Sequence, residues 1–289
     1  SAIFEKSGVV SGAMYGVDML VEHTIVGTLS ELSKIRQSKY VQSDLRQVFP
    51  EIKAYLKEGR KVLFTGTPCQ VAGLKKYLRK EYDNLLTVDF ICHGVPSPMV
   101  WHKYLKEEVT RQSGAVLTGV NFRNKSTGWK TFSLVMDFAE DINGSLKKYT
   151  LSTIFTDNVY MNAFLSNLSL RPSCYNCPAK SGKSGADISI GDFWGIEKID
   201  SSYYDDLGAS FVAINKSSFS LDIHKCNAIT KSYREAVRYN PAILSPVNCH
   251  PMRNVFMRLS TTLGVTKAYQ LCTSSNIICR ALRKIYQSI

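Results

Sequence analysis

Twice in its N-terminal third the chain runs from a short apolar stretch into a small-residue loop and then a helix, and this alternation leaves few folds open. KVLFT (61–65) leads into Gly66-Thr67-Pro68-Cys69-Gln70 and the helical stretch VAGLKKYL. LLTVDFI (85–91) leads into Cys92-His93-Gly94, and MVWHKYLKEEV follows Pro98. Short apolar runs of this kind suit buried parallel strands, and strand–loop–helix repeats build βαβ units. Upstream, residues 8–27 read as two short strands, GVVSGAMYG and VDMLVEHTIVG. A helix is expected from Thr28, with Glu31 completing a capping box. Leu45, Val48, Phe49, Ile52, Tyr55 and Leu56 recur at helical spacing, with Pro50 in the first turn and Gly59 as the C-terminal cap. Between 115 and 152 the texture changes: AVLTGVNFR, TFSLVMDFA and SLKKYTLS alternate like an antiparallel meander. A helix over 157–168, strands in DISIGDFWG and ASFVAINKS (209–217), and a helical tail complete the reading. The expected class is α/β: a mainly parallel sheet with flanking helices, an antiparallel β insertion and a helical C-terminal tail. The expected organisation is one compact domain over 1–250 followed by a basic helical tail over 251–289.

Charge narrows the function classes. The net charge is +12, yet residues 251–289 carry Arg253, Arg258, Lys267, Arg280, Arg283 and Lys284 with no acid, so half of the excess sits in the tail. No nucleic-acid motif accompanies it, and nucleic acid is not an expected partner. The tail reads as a solvated basic helix, or as a dock for an acidic redox partner, a membrane surface or phosphate-bearing ligands. No apolar stretch is long enough for a transmembrane segment and no secretion signal is read, so a cytoplasmic protein is expected.

The eight cysteines are 69, 92, 174, 177, 226, 249, 272 and 279. A chain this long needs no disulfide staples, so metal binding or catalysis is the better use for some of them. Cys174-Tyr175-Asn176-Cys177 is a C-x-x-C pair in a loop, flanked by Pro172 and Pro178. Cys69 and Cys92 each fall just past the carboxyl end of an expected parallel strand, the rim where open α/β sheets build their sites. Cys69 also falls near a helix N-terminus, which favours a thiolate. Four cysteines delivered this way match the usual ligand set of a 4Fe–4S cluster, and equally that of structural zinc. Taken singly, Cys69 or Cys92 also reads as a small buried hydrophobe, which is the plain reading of Cys226, Cys249, Cys272 and Cys279. His93, beside Cys92, reads as a ligand, a proton donor or a polar turn residue.

These residues belong to longer strings: SKYVQSD (38–44), VLFTGTPCQVAGL (62–74), DFICHGVPSP (89–98), FRNKSTGW (122–129), LRPSCYNC (170–177) and DISIGDFWG (187–195). In this order they resemble the coenzyme F420 hydrogenase/dehydrogenase beta-subunit family, over about residues 8–215. The resemblance implies an oxidoreductase with a flavin (FAD or FMN) and a 4Fe–4S cluster on Cys69, Cys92, Cys174 and Cys177, and it supplies the choice of iron over zinc. Similar members commonly carry an N-terminal ferredoxin part, absent from this chain. The expected partners are therefore a ferredoxin-like electron-transfer domain or protein and a small-molecule redox substrate. The CHGVPSP and GDFWG forms resemble the bacterial branch, part of which is linked to polysaccharide gene clusters.

A flavin cradle is expected at loops on strand ends. Gly66, Thr67, Pro68 and Gln70 offer close backbone approach and polar contacts; Ser38, Lys39, Tyr40 and Gln42 offer further polar contacts and one charge. Asp192 and Trp194, with Gly12, Tyr15 and Gly16, are weighed as lining or as plain packing. No G-x-G-x-x-G is present, so a dinucleotide fingerprint is not the basis of binding. Two competitors use the same cysteines: a non-enzymatic zinc scaffold, and a transferase with Cys92 as nucleophile beside His93.

Overall fold

The structure is a computed structural model, and it describes residues 3–4, 7–142, 144–216 and 227–275. The elements in chain order are β1 (Val9–Tyr15), β2 (Val21–Val26), α1 (Leu32–Ile35), α2 (Val48–Lys57), β3 (Val62–Gly66), α3 (Pro68–Leu78), β4 (Leu85–Phe90), α4 (Pro98–Arg111) and β5 (Val116–Asn124). They continue with β6 (Ser133–Ile142), β7 (Ser145–Ile154), α5 (Val159–Leu165), β8 (Ile188–Asp192), α6 (Ile196–Ile199), β9 (Ser210–Ile214), α7 (Tyr233–Arg238), α8 (Arg253–Thr262) and α9 (Val265–Thr273). They fall into two compact units. The first holds Ser1–Arg36, Ser43–His93 and Asn176–Pro246; the second holds Gln37–Gln42, Gly94–Tyr175 and Val247–Ile289.

The first unit is built on a six-stranded sheet of order β2-β1-β3-β4-β8-β9. The contacts β1·β3, β3·β4 and β4·β8 are parallel, and β2 and β9 close the edges antiparallel. In β3, Val62, Phe64 and Gly66 alternate inward. Val62 and Phe64 share a core with Val48, Ile52 and Leu56 of α2 and Val71, Leu74 and Leu78 of α3, rows at helical spacing. Each of these large side chains contributes about 1.5–3 kcal/mol by leaving water. α2 tolerates Pro50 because first-turn N–H groups have no helical partner. It ends as expected at Gly59, whose φ is 77°. The Gly59 N–H bonds to Leu56 O at 3.2 Å and the Arg60 N–H to Tyr55 O at 3.0 Å, a Schellman stop. The helix expected from Thr28 begins only at Leu32. Glu31 instead uses its carboxylate on the Thr28 hydroxyl and the Gly27 N–H, closing a turn ahead of the helix.

The second unit carries the antiparallel meander β5-β6-β7. Its centre is aromatic. Trp101 of α4 is fully buried against Tyr160 of α5 (ring centroids 4.9 Å apart) and Phe122 of β5 (5.0 Å). The expected basic tail is, up to residue 275, two helices of this unit with Phe256, Leu259, Val265 and Ala268 buried. The carboxylate of Glu107 on α4 caps α9: Oε2 accepts from the Thr266 N–H at 3.1 Å and its hydroxyl at 2.6 Å, and Oε1 accepts from the Val265 N–H. Arg280, Arg283, Lys284, Cys226 and Cys279 lie outside the described residues.

Candidate functional site

Cys69 is the second residue of α3. The helix starts there because Thr67 is its N-cap, Pro68 supplies a preset φ, and Thr67 and Gln70 form a reciprocal capping box. The Thr67 hydroxyl lies 3.1 Å from Cys69 Sγ and donates to Gln70 Oε1 at 3.1 Å; the Thr67 N–H reaches the same Oε1 at 2.9 Å. The Gln70 amide then donates to Ser43 Oγ at 2.8 Å, and Ser43 meets His23 Nδ1 at 2.9 Å. Gly66 has its own reason to be glycine. A Cβ there would stand 3.0 Å from the Phe64 ring and 3.1 Å from Gln70 Oε1. Gly66, Thr67 and Gln70 are thus committed to each other, and Pro68 alone of this group lines a cavity.

That cavity, about 70 Å³, lies in the first unit and includes Cys92, Asp89 and Lys180. Cys92 follows the last residues of β4, where the Ile91 N–H still bonds to Ile190 O at 2.8 Å. The buried Lys180 ammonium grips the Cys92 carbonyl, and it also donates to Ala242 O at 2.7 Å. Burial raises the Asp89 carboxyl above its usual range, against the opposing hydrogen bonds of Ser184 and Ser189. His93 is half-buried at the point where the chain leaves the first unit.

Cys174, in the second unit, sits in the 3₁₀ turn Pro172–Asn176. Its N–H bonds to Arg171 O at 2.9 Å, and its Sγ accepts the Val95 N–H at 3.4 Å. Gly94 makes room for it: a Cβ at Gly94 would come within 2.8 Å of Leu170 and 3.4 Å of Cys174 Cβ. Tyr175 is anchored by its hydroxyl on Asn167 O at 2.7 Å, with the Arg253 guanidinium over its ring. The chain then returns to the first unit, where Cys177 is half-buried. Two of the five crossings between the units thus run through cysteine strings, one after His93 and one after Tyr175.

The donor chemistry fits a thiolate-ligated cluster. None of Cys69, Cys92, Cys174 and Cys177 is in a disulfide, and the sulfurs of Cys69 and Cys174 each meet a polar hydrogen-bonding group, as cluster sulfurs do. Among the described residues, no three His, Cys, Asp or Glu side chains are gathered closely enough to hold a metal ion. That applies to Cys69, Cys92 and Cys177 within the first unit.

The segment 37–42 belongs to the second unit. Tyr40 packs on Phe164 (5.0 Å) and Phe122 (5.5 Å), and its carbonyl accepts the Tyr160 hydroxyl at 2.7 Å. The Gln42 N–H bonds to Pro96 O at 3.0 Å, and Ser38 is exposed. Burial lowers the Lys39 ammonium to about 8, so it is a cation at neutral pH and loses its charge in mildly alkaline solution. The remaining glycines of interest serve packing. A Cβ at Gly12 would meet Ile35 and Thr65, one at Gly16 the Glu22 carboxylate, and one at Gly195 the Tyr239 ring at 2.4 Å. Tyr15 is half-buried, with its hydroxyl pushed far above its usual range by burial. Asp192 ends β8, where its carbonyl accepts from the Asn240 amide at 3.3 Å, and Trp194 follows in the turn.

Sequence reading missed His23, Ser43 and Lys180. For His23 a signal existed, because a polar residue occupies an inward position of the alternating strand VEHTIV. Lys180 lies in a loop, where no periodicity marks burial.

The family described as the C terminus of the coenzyme F420 hydrogenase/dehydrogenase beta subunit matches residues 59–229, which is 171 of 289 residues. No curated protein matches the chain. Among solved structures, a chain of the F420-reducing [NiFe] hydrogenase complex from Methanosarcina barkeri is similar, at 17% identity and a TM-score of 0.37. The match covers 63% of this chain and spans 57% of that one.

Proposed function

This chain belongs to the coenzyme F420 hydrogenase/dehydrogenase beta-subunit family, an oxidoreductase family, and from that premise we propose that it passes electrons between a flavin and one 4Fe–4S cluster. The observation that carries the reading is that four cysteines outside any disulfide stand in the family-matched segment: Cys69 at a helix start, Cys92 just past a strand end, Cys174 in a short turn and Cys177 directly after that turn. These four would hold the cluster. A flavin takes two electrons as hydride and releases them singly, and an iron–sulfur cluster passes single electrons on.

The chain's own residues prepare this chemistry in definite ways. Cys69 stands in the first turn of α3, at the positive end of the helix dipole, with the Thr67 hydroxyl 3.1 Å from its sulfur. Lys180 fixes the main chain at Cys92 through its carbonyl, and Val95 directs an N–H at Cys174. Lys39 is the cation proposed for the flavin's phosphate, with Ser38, Tyr40 and Gln42 around it and Gly66, Thr67, Pro68 and Gln70 forming a second contact region. The electron partner is proposed to be a ferredoxin-like domain or protein, and the substrate a small redox molecule. Polysaccharide assembly is the setting that the resemblance favours.

Dialysis of the anaerobically purified chain against FAD or FMN tests the flavin half of the proposal. One of the two is expected to be retained, with affinity falling as pH rises through about 8, where Lys39 loses its charge. Lys39→Gln is expected to be weaker at neutral pH and to lack that fall. Retention of neither flavin by iron-loaded protein would remove the flavin from the function.

A further inference from the structure

A continuous hydrogen-bond chain runs from His23 to the sulfur of Cys69, wholly within the first unit, and a neutral His23 ring gives it one direction up to Thr67. His23 is buried on β2, stacked on Phe64. Its Nε2 lies 3.0 Å from Thr65 O, which only accepts, so Nε2 carries the proton. In the neutral ring Nδ1 is then an acceptor, and Ser43 donates its hydroxyl to it across 2.9 Å. Having spent its proton there, Ser43 Oγ accepts from Gln70 Nε2 at 2.8 Å. That pins the Gln70 amide, leaving Oε1 facing the Thr67 N–H and hydroxyl.

The last link has two satisfied settings. With Cys69 as a thiol, S–H donates to Thr67 Oγ1 and the Thr67 hydroxyl donates to Gln70 Oε1. With Cys69 as a thiolate or a metal ligand, the sulfur only accepts. The Thr67 hydroxyl then turns to donate across the 3.1 Å gap to Sγ, and Gln70 Oε1 keeps the Thr67 N–H. No buried group is orphaned in either setting, which is what a hydrogen-bond partner of a metal-bound sulfur requires.

We propose that His23, Ser43 and Gln70 are positioning residues that hold Thr67 as the hydrogen-bond donor to the sulfur of Cys69, and so tune the redox centre this sulfur binds. This rests on the reading of Cys69 as a cluster ligand. A donor at a ligand sulfur stabilises the reduced, more negative state and so raises the reduction potential.

The test uses the full chain, wild type and three variants. In metal-free protein, iodoacetamide labelling of Cys69 is followed by peptide mass spectrometry. Thr67→Val is expected to slow labelling about threefold, since it removes the hydroxyl that lies 3.1 Å from the sulfur and hydrogen-bonds it. Ser43→Ala leaves the helix cap in place and is expected to slow labelling in the same direction by less. Thr67→Ser restores the wild-type rate. After loading with iron and sulfide, Thr67→Val and Ser43→Ala are expected to shift the midpoint potential to more negative values, and Thr67→Ser is not. Equal rates and equal potentials in all four proteins would overturn the proposal. Failure of the wild type to load iron would instead remove the cluster, and the labelling rates would decide the hydrogen-bond chain by themselves.

Discussion

Cys92→Ser is expected to drop the iron content of the anaerobically purified chain from about four atoms to near none, with loss of its brown visible absorbance. The same loss is expected for Cys69→Ser, Cys174→Ser and Cys177→Ser, and none for Cys249→Ser, an exposed cysteine outside the proposed set. Serine is nearly isosteric, but its hydroxyl is a hard oxygen that does not ionise at neutral pH, whereas iron–sulfur clusters select soft thiolates. Cys92 is the cleanest position to examine. Its main chain is held by the Lys180 ammonium on its carbonyl and by the neighbouring strand ladder, neither of which uses the sulfur. The metal-free unfolding midpoint should therefore stay put while the iron is lost. Colorimetric iron determination with a urea melt separates the two effects. If all four serine variants kept their full iron, the ligand assignment would be lost.

Trp101→Ala is expected to destabilise the second unit by about 3–5 kcal/mol, read from the urea midpoint. Trp101 is fully buried, and its ring meets Tyr160, Phe122 and Tyr104 at once. Removing it opens a cavity that stiff aromatic neighbours fill poorly. The consequence reaches the proposed flavin contacts, because Tyr160 holds the Tyr40 carbonyl through its hydroxyl. Loosening that ring frees the segment carrying Ser38, Lys39 and Gln42. Trp101→Phe keeps most of the contact area and is expected to cost less than half as much. Equal losses for Ala and Phe would point away from cavity formation.

The parallel sheet was legible in the sequence because its cause is local. KVLFT and LLTVDFI end within one residue of the strand ends, and Thr67-Pro68-Cys69-Gln70 carries helix-start chemistry within four residues. The meander was legible for the same reason, from alternation in consecutive strands. The late start of α1 was not, since the carboxylate of Glu31 serves a turn as readily as a helix cap. The division into two units was also hidden: the chain leaves and re-enters each unit inside ungapped strings such as ICHG and CYNC, with no change of composition at the crossings. Within the candidate site, sequence order located Cys69 and Cys92 at strand ends. It did not show that Thr67 and Gln70 are already engaged with Ser43 and His23, because that pairing joins residues distant along the chain.

Metal and inorganic sulfide analysis of the unmutated chain, purified without oxygen, bears on the whole account most directly. A cluster on the four cysteines predicts about four iron atoms and four sulfides per chain and no stoichiometric zinc. A colourless protein carrying one zinc ion and no inorganic sulfide would contradict it.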